Sequence, residues 1–372
     1  MKAVSFGKLS DGRLAGLYIL RNVNGMEVRL TDYGATIVSI LLPGRDGVCR
    51  DVVLGHDDVS GYETGHGSIG AVVGRFANRI GNARFMIGRD SYELTANNGP
   101  NALHGGRDPY VKRLWDTKVA FGQISSHEIS KYAKESLNDN ANAFLKENIA
   151  GDSVTFCLDS PDGDQGFPGD LHVEVTYTLT DDNELHLDYS ALCNEDTPLN
   201  LTNHSYFNLD GHDSGSVLNQ LVQINAEKFT PNDEWSLPTG EIRDVAGSPM
   251  DFRKAKALGR DIGMEDEQLR VGNGYDHNFV LDGEGYREVA SLFSEESGIH
   301  MSVLTDLPGM QLYTANGMSG EPGKDGAVYW QRCSVCFETQ FWPDAINRIA
   351  FPGGVLHEGE RFTSRTTYKF SV

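Results

Sequence analysis

Proton-transfer chemistry centres on two of the eleven histidines. His104 closes the run NNGPNALH at positions 97–104 and is followed by Gly105 and Gly106. Turn formers at that density place its imidazole on a loop with close backbone access. His204 lies in LTNHSYFNL (201–209), a strand-like run rich in hydrogen-bonding groups. Elsewhere GRFANRI (74–80) sets Arg79 beside Asn78, GYDHNF (274–279) holds Asp276, and CFETQFWPDAIN (336–347) holds Glu338 among aromatic residues. Carboxylates, neutral amides, one guanidinium and aromatic faces suit a polyol, whose many hydroxyls need paired donors and acceptors. Each residue also has an ordinary structural role. A strand histidine is usually satisfied and half-buried, Arg79 could serve an ion pair, and Glu338 could face solvent. Residue types and spacing alone reach a β-rich protein suited to binding saccharides.

The elements that must carry these residues are strands. Met26–Leu30 alternates apolar and polar residues and runs into a turn-like Asp32-Tyr33-Gly34. HVEVTYTL (172–179) alternates strictly, Asp181–Asn183 is a turn, and ELHLDY (184–189) alternates again, the pattern of a β-hairpin. MQLYT (310–314) and SVCFETQ (334–340) continue the alternation toward the C-terminus, which predicts antiparallel sheets. Gly contributes 42 residues, about 11% of the chain against a usual ~7%, and much of it separates short strand-like runs. From Ser125 to Ala150 Gly and Pro vanish, and Ile129, Tyr132, Ala133 and Leu137 share one helical face. That stretch reads as a short helical insertion on the surface.

Composition narrows the partners. The 372 residues carry 32 Lys+Arg against 53 Asp+Glu, a net charge of −21, which argues against nucleic acid, whose phosphates call for clustered Lys and Arg. No segment approaches the ~20 apolar residues of a membrane span. Leu14–Leu20, closed by Arg21, makes a poor leader, and five scattered cysteines do not form a secreted disulfide framework. A soluble cytoplasmic protein is expected. GHGSIG (65–70) matches a dinucleotide fingerprint by letter, but a non-strand precedes it and AVVG follows it, so it reads as a turn. Cys333 and Cys336 form a single CxxC; in a strand they would face opposite sides and not chelate one ion. Asn203-His204-Ser205 is a glycosylation sequon in form only.

Seven segments together resemble the aldose 1-epimerase (galactose mutarotase) family, in that family's order from near Gly34 to about Asn347: GRFANRI, NNGPNALHGG, GFPGDLHVEVTYTL, NHSYFNLDG, YDHNFVL, MQLYTAN and ETQFWPDAIN. The resemblance implies a single all-β domain over residues 1–372, a large antiparallel β-sandwich. It implies His204 as catalytic acid and Glu338 as base, with sugar held by Asn78, Arg79, His104, Ser205, Tyr206, Asp276 and Gln311. Anomers interconvert through the open-chain aldehyde, so one group must give a proton to the ring oxygen while another takes one from the C1 hydroxyl. Reference values of ~6.5 for imidazole and ~4.3 for Glu leave a window with His charged and Glu ionised. No metal, nucleotide or other cofactor is needed. The expected partner is a small-molecule sugar, with no nucleic acid and no membrane, and the chain a monomer or homodimer. The 125–150 stretch and YWQRC (329–333) depart from the family pattern and bear on the pocket rim. Three rivals remain at this stage: a saccharide-binding protein without turnover, which would most naturally lack the acid or base; a phosphosugar 1-epimerase, which should gather Arg near the motifs, where Arg75, Arg79 and Arg107 stand; and a glycosidase, which would normally use two carboxylates.

Overall fold

The computed structural model describes residues 1–65, 67–119 and 152–372. The helical insertion expected at 125–150 lies outside the described residues. Alternation elsewhere becomes pairing. HVEVTYTL lies in the Leu171–Leu179 strand and ELHLDY opens the Glu184–Cys193 strand. They pair antiparallel from Leu171 opposite Cys193 to Leu179 opposite Leu185, around a turn where Asn183 adopts a φ of 58°. One face of the hairpin carries Val173, Val175, Tyr177, Leu185, Leu187 and Tyr189, all buried.

This hairpin is part of a nine-stranded antiparallel sheet. Asp152–Ser160 and Asp116–Val119 extend it on one side. Arg361–Ser371, His300–Thr305, Arg287–Phe293, Leu221–Ile224 and Lys256–Ala257 extend it on the other. A six-stranded sheet runs in the order Tyr206–Phe207, Val335–Gln340, Gly309–Tyr313, Asp276–Val280, Lys228–Thr230, Arg243–Asp244. The two sheets meet face to face. The Phe207 ring lies 4.8 Å from that of Tyr368, the Tyr368 hydroxyl donates to the Phe337 carbonyl at 3.3 Å, and the hydroxyls of Thr339 and Thr366 bond at 2.5 Å. A five-stranded meander from Lys2 to Asp51 packs alongside, with Tyr18 edge-on to Phe156 at 5.4 Å and the Tyr177 hydroxyl donating to the Ala35 carbonyl at 2.7 Å. One buried apolar cluster runs through all three sheets, so the all-β sandwich is the observed architecture. The two α-helices among the described residues are short, Val59–Thr64 and Glu267–Val271. The first precedes the glycine fingerprint, where Gly67 and Gly70 have positive φ, and Val72–Val73 after it is a strand.

Strand register divides the six-stranded sheet into two chemically distinct faces. Residues directly opposite in an antiparallel pair share a face, as do i and i+2 along a strand. His277, Leu312 and Phe337 form one row toward the core. The neighbouring rows face the other way: Asp276, Tyr313, Cys336 and Tyr206 in one, Asn278, Gln311 and Glu338 in the next. Sequence alternation has therefore put a polar row on a sheet face that other chain segments then cover.

Arg75 and Asn200 hold that cover in place. The Arg75 guanidinium is buried, and donates to the Ser160 hydroxyl at 2.7 Å, the Thr197 hydroxyl at 2.9 Å and the carbonyls of Ser160, Pro168 and Gly169 at 2.7–3.1 Å. Both terminal nitrogens are paired in this way, as burial of a charge requires, while Nε has no partner among the described residues. Asn200 accepts at its side-chain oxygen from the Phe341 N–H (2.9 Å) and donates to the carbonyls of Ala77 and Phe341 (3.2 Å each). It thereby joins three segments that carry site residues. Arg75→Met should strand those acceptors and lower stability by about 3 kcal/mol; urea unfolding should show an earlier midpoint at an unchanged slope, and a midpoint equal to the parent's would contradict the bracing role.

Candidate active site

His204 and Glu338 meet on the covered polar face. The His204 Nε2 lies 3.5 Å from the Glu338 Oε1, and the two residues are 6% and 2% exposed. His204 reaches this position through its backbone. Its N–H donates to the Ala71 carbonyl at 3.0 Å, and its carbonyl accepts from the Gly70 N–H at 2.9 Å. Gly70 has φ +72°, and a Cβ there would fall 2.1 Å from the Ile37 carbonyl oxygen, so only glycine fits. The imidazole stacks on Tyr206 with centroids 4.9 Å apart and a 12° interplanar angle, and the Tyr313 ring stands edge-on at 6.1 Å.

Around the pair lie groups matched to hydroxyls. Gln311 sits directly opposite Glu338 in the sheet and donates from Nε2 to Asp276 Oδ1 at 2.6 Å. The Arg79 Nε donates to Asn98 Oδ1 at 2.9 Å, and its Nη1 to Asn78 Oδ1 at 3.4 Å. Asn78 and His104 form a reciprocal contact: the His104 N–H donates to the Asn78 carbonyl at 2.9 Å, and the Asn78 N–H donates to His104 Nδ1 at 3.2 Å. A backbone N–H aimed at Nδ1 makes that nitrogen an acceptor, which leaves the His104 proton on Nε2. The His104 ring lies 5.5 Å from that of His204. Gly105, with φ +85°, permits this turn; a Cβ there would fall 2.1 Å from the Gly74 carbonyl oxygen.

The residues singled out in the sequence thus converge. Ser205 is placed differently from the rest: the residue is buried, and its hydroxyl donates to Asn203 Oδ1 at 2.6 Å and braces the loop. Residues that the sequence reading passed over also stand here. Tyr313, Asn278 and Cys336 share the face of Gln311 and Glu338, and period-two counting from those residues would have found them. Cys333 lies ahead of the Val335–Gln340 strand, and both thiols of the CxxC are free and buried. Of the arginines near the motifs, Arg75 is enclosed by its own partners, and Arg107 is exposed. Arg79 is the guanidinium that bears on Glu338 and His104.

Burial reverses the protonation expected from reference values. Desolvation pushes the Glu338 carboxyl well above the usual range; the Asp276 charge raises it further, and Arg79 pulls it back. Desolvation likewise brings His204 down to about 4. Each group resists being charged alone, so the imidazolium–carboxylate window between ~4.3 and ~6.5 does not describe the enclosed pair. Burial therefore favours a neutral imidazole beside a protonated carboxyl, the reverse of the charged pair. Among the described residues, the His204 Nδ1 and the Glu338 Oε2 are buried with no hydrogen-bond partner. Ten other buried side-chain atoms among the described residues are likewise unpaired; at this pair a sugar's hydroxyls could supply the missing partners. Oxygen, nitrogen and sulfur ligand atoms of His204, Cys336 and Glu338 also lie within 4.8 Å of one another, a set discussed below.

Known proteins carry the same arrangement of chain. The profile of the aldose 1-epimerase family matches residues 16–120 and 141–369. Galactose mutarotase of Bos taurus is 40% identical over 349 residues, 93% of this chain and 92% of that protein. Aldose 1-epimerase of Escherichia coli (strain K12) is 36% identical over 364 residues, 97% of this chain and 96% of that one. Among solved structures, an aldose epimerase homologue from C. elegans superposes with a TM-score of 0.82 at 31% identity, covering 96% of this chain and 99% of that one. Galactose 1-epimerase from Lactobacillus acidophilus NCFM gives 0.82 at 28% identity, covering 100% and 98%. With the profile spanning nearly the whole sandwich and relatives aligned almost end to end, the chain belongs to the aldose 1-epimerase family.

Proposed function

We propose that this chain is a mutarotase that interconverts the α and β anomers of free aldohexoses such as glucose and galactose. The observation that carries the reading is the enclosed His204–Glu338 pair, 3.5 Å apart, set among Asn78, Arg79, His104, Tyr206, Asp276 and Gln311. The relatives named galactose mutarotase and aldose 1-epimerase support the same activity. A phosphosugar substrate would want a cluster of guanidinium groups, and Arg75, the obvious second candidate, is spent on Ser160, Thr197 and backbone carbonyls.

The chemistry follows from one shared proton. A bound sugar sets its C1 hydroxyl at Glu338 and its ring oxygen at His204. Hydrogen bonding from that hydroxyl stabilises the carboxylate and draws the shared proton to the imidazole. His204 then gives its proton to the ring oxygen while Glu338 takes the C1 hydroxyl proton. The C1–ring-oxygen bond breaks, leaving a carbonyl at C1 and a hydroxyl at C5, with no net charge moved into or out of the site. After rotation about C1–C2 the roles reverse, and the ring closes on either face. Arg79, His104, Asp276 and Gln311 hold the remaining hydroxyls so that the open chain does not escape. Each proton transfer is worth ~10²–10⁴ in rate, about 3–5 kcal/mol of barrier.

The wider reading is of one domain over residues 1–372, supported by the apolar cluster that joins all three large sheets. It acts on a sugar as monomer or homodimer, without nucleic acid or membrane, consistent with the −21 charge. Among the described residues no helix is long and apolar enough to cross a membrane. Five free thiols support a reducing, cytoplasmic setting.

Polarimetry on freshly dissolved α-glucose and α-galactose should show rotation relaxing faster with the protein than without. His204→Asn and Glu338→Gln should each lower kcat by roughly 10²-fold or more with the fold intact; a folded Glu338→Gln protein with near-normal turnover would overturn the assignment. The pH profile of kcat/KM gives a second check. Its acid limb should fall near pH 4, where His204 takes a second proton, and its alkaline limb where the shared proton is lost from Glu338. Asp276 raises the Glu338 pKa and Arg79 lowers it. Asp276→Asn should therefore move the alkaline limb to lower pH, and Arg79→Met should move it to higher pH. Shifts of the opposite sign would contradict the shared-proton account.

A further inference from the structure

A second cluster of ligand-type side chains stands on the nine-stranded sheet, outside the site that holds His204 and Glu338. Cys157 lies opposite Glu174, and Asp159 opposite His172, in the pairing of the Asp152–Ser160 and Leu171–Leu179 strands. These positions alternate by two along each strand, so all four side chains leave the same face of the sheet. Ligand atoms of Cys157, His172 and Glu174 lie within 4.8 Å of one another. The His172 Nε2 is 3.1 Å from Glu174 Oε1, and the Cys157 Sγ is 3.8 Å from that same oxygen. On the other side of the imidazole, Nδ1 meets Asp159 Oδ1 at 2.5 Å.

The two distances to Glu174 lie within about 0.2 Å of edges of a zinc coordination tetrahedron. With Zn–N and Zn–O near 2.0–2.1 Å and Zn–S near 2.3 Å, a tetrahedron has N···O edges of about 3.3 Å and S···O edges of about 3.6 Å. A carboxylate on the far nitrogen of a ligating histidine is the partner that fixes its tautomer and ring orientation. His172 and Glu174 are only half-buried, so a fourth position opens to solvent. We propose that Cys157, His172 and Glu174 form a binding site for a zinc-type divalent cation, with Asp159 orienting His172. Lys118 competes for it. Its Nζ now holds Glu174 Oε1 at 2.6 Å, and its long stem lets it swing into solvent when a cation takes that oxygen. Burial keeps the Cys157 thiol protonated, pushed up to about 12, so the ion binds with release of that proton to solvent.

The site has no role in the sugar chemistry, and spacing along the chain does not reveal it. Cys157 and His172 come together only through strand register. A bound ion would clamp the two strands at Asp159, next to the Ser160 that holds the Arg75 guanidinium.

Cobalt(II) and zinc titration of the intact protein tests this. Co²⁺ should produce a thiolate charge-transfer band and tetrahedral visible bands at one ion per chain, displaced by Zn²⁺, with mutarotation unchanged. Cys157→Ser should abolish the thiolate band. Asp159→Asn should weaken Zn²⁺ binding by about 10–100-fold in calorimetry, and Lys118→Met should tighten it. All three variants should keep parental turnover, which also reports their folding. The proposal is overturned if Cys157→Ser keeps the band, or if no ion binds at micromolar concentration. It is equally overturned if binding inhibits turnover in competition with sugar, which would place the ion at His204, Cys336 and Glu338 instead.

Discussion

An imidazole and a carboxylate withdrawn from water each cost several kcal/mol as lone charges, and His204 and Glu338 are withdrawn together, 3.5 Å apart. Both are driven toward their neutral forms by the same burial. In the proposed mechanism a proton passes from the carboxyl to the imidazole when sugar binds, which leaves the net charge of the site unchanged. The remaining charges tune the balance. Asp276 favours the proton on Glu338, Arg79 opposes it, and Gln311 holds Asp276 at 2.6 Å so that its charge stays put.

Keeping such a pair requires a scaffold that encloses His204 and Glu338 while leaving Arg79, His104, Asp276 and Tyr313 partly open. Register in the six-stranded sheet supplies the floor, with Phe337 turned to the core and Glu338 turned away. The cover comes from irregular chain, which needs specific ties. Asn200 links the segment after Arg75 to the segment before His204 and to Phe341 beyond Glu338. Arg75 anchors the same cover to the nine-stranded sheet through Ser160. Both residues act on the chemistry only through position. The glycines at 70 and 105 work in the same way, allowing backbone to approach where any side chain would collide.

The strands were legible because period two is a local signal: HVEVTYTL, ELHLDY, MQLYT and SVCFETQ all became paired strands. Much of the site was legible for a different reason, through seven ordered segments that resemble one family. What failed to show were quantities that exist only after folding. Arg75 and Arg79 look equivalent in GRFANRI, yet one is consumed by Ser160 and Thr197, far along the chain, and the other faces Glu338. Reference pKa values predicted a charged pair because they contain no burial. Tyr313, Asn278 and Cys336 were reachable by counting twos from Gln311 and Glu338. The pairing of Cys157 with Glu174 and of Asp159 with His172 was not, since nothing in the chain announces which residues two strands will set opposite each other. The 125–150 stretch lies outside the described residues.

In the proposed mechanism every proton moved sits on oxygen or nitrogen, because His204 and Glu338 would supply one acid and one base and no second group to abstract a weakly acidic C–H proton. An isomerase working through an enediol would instead remove the proton from C2 and exchange it with solvent. Equilibrating a single aldose anomer with the protein in D₂O and reading C1 and C2 by NMR separates the two. The account predicts complete anomeric equilibration with no enzyme-dependent deuterium on carbon. Deuterium accumulating at C2 at the rate of anomer interconversion would contradict it.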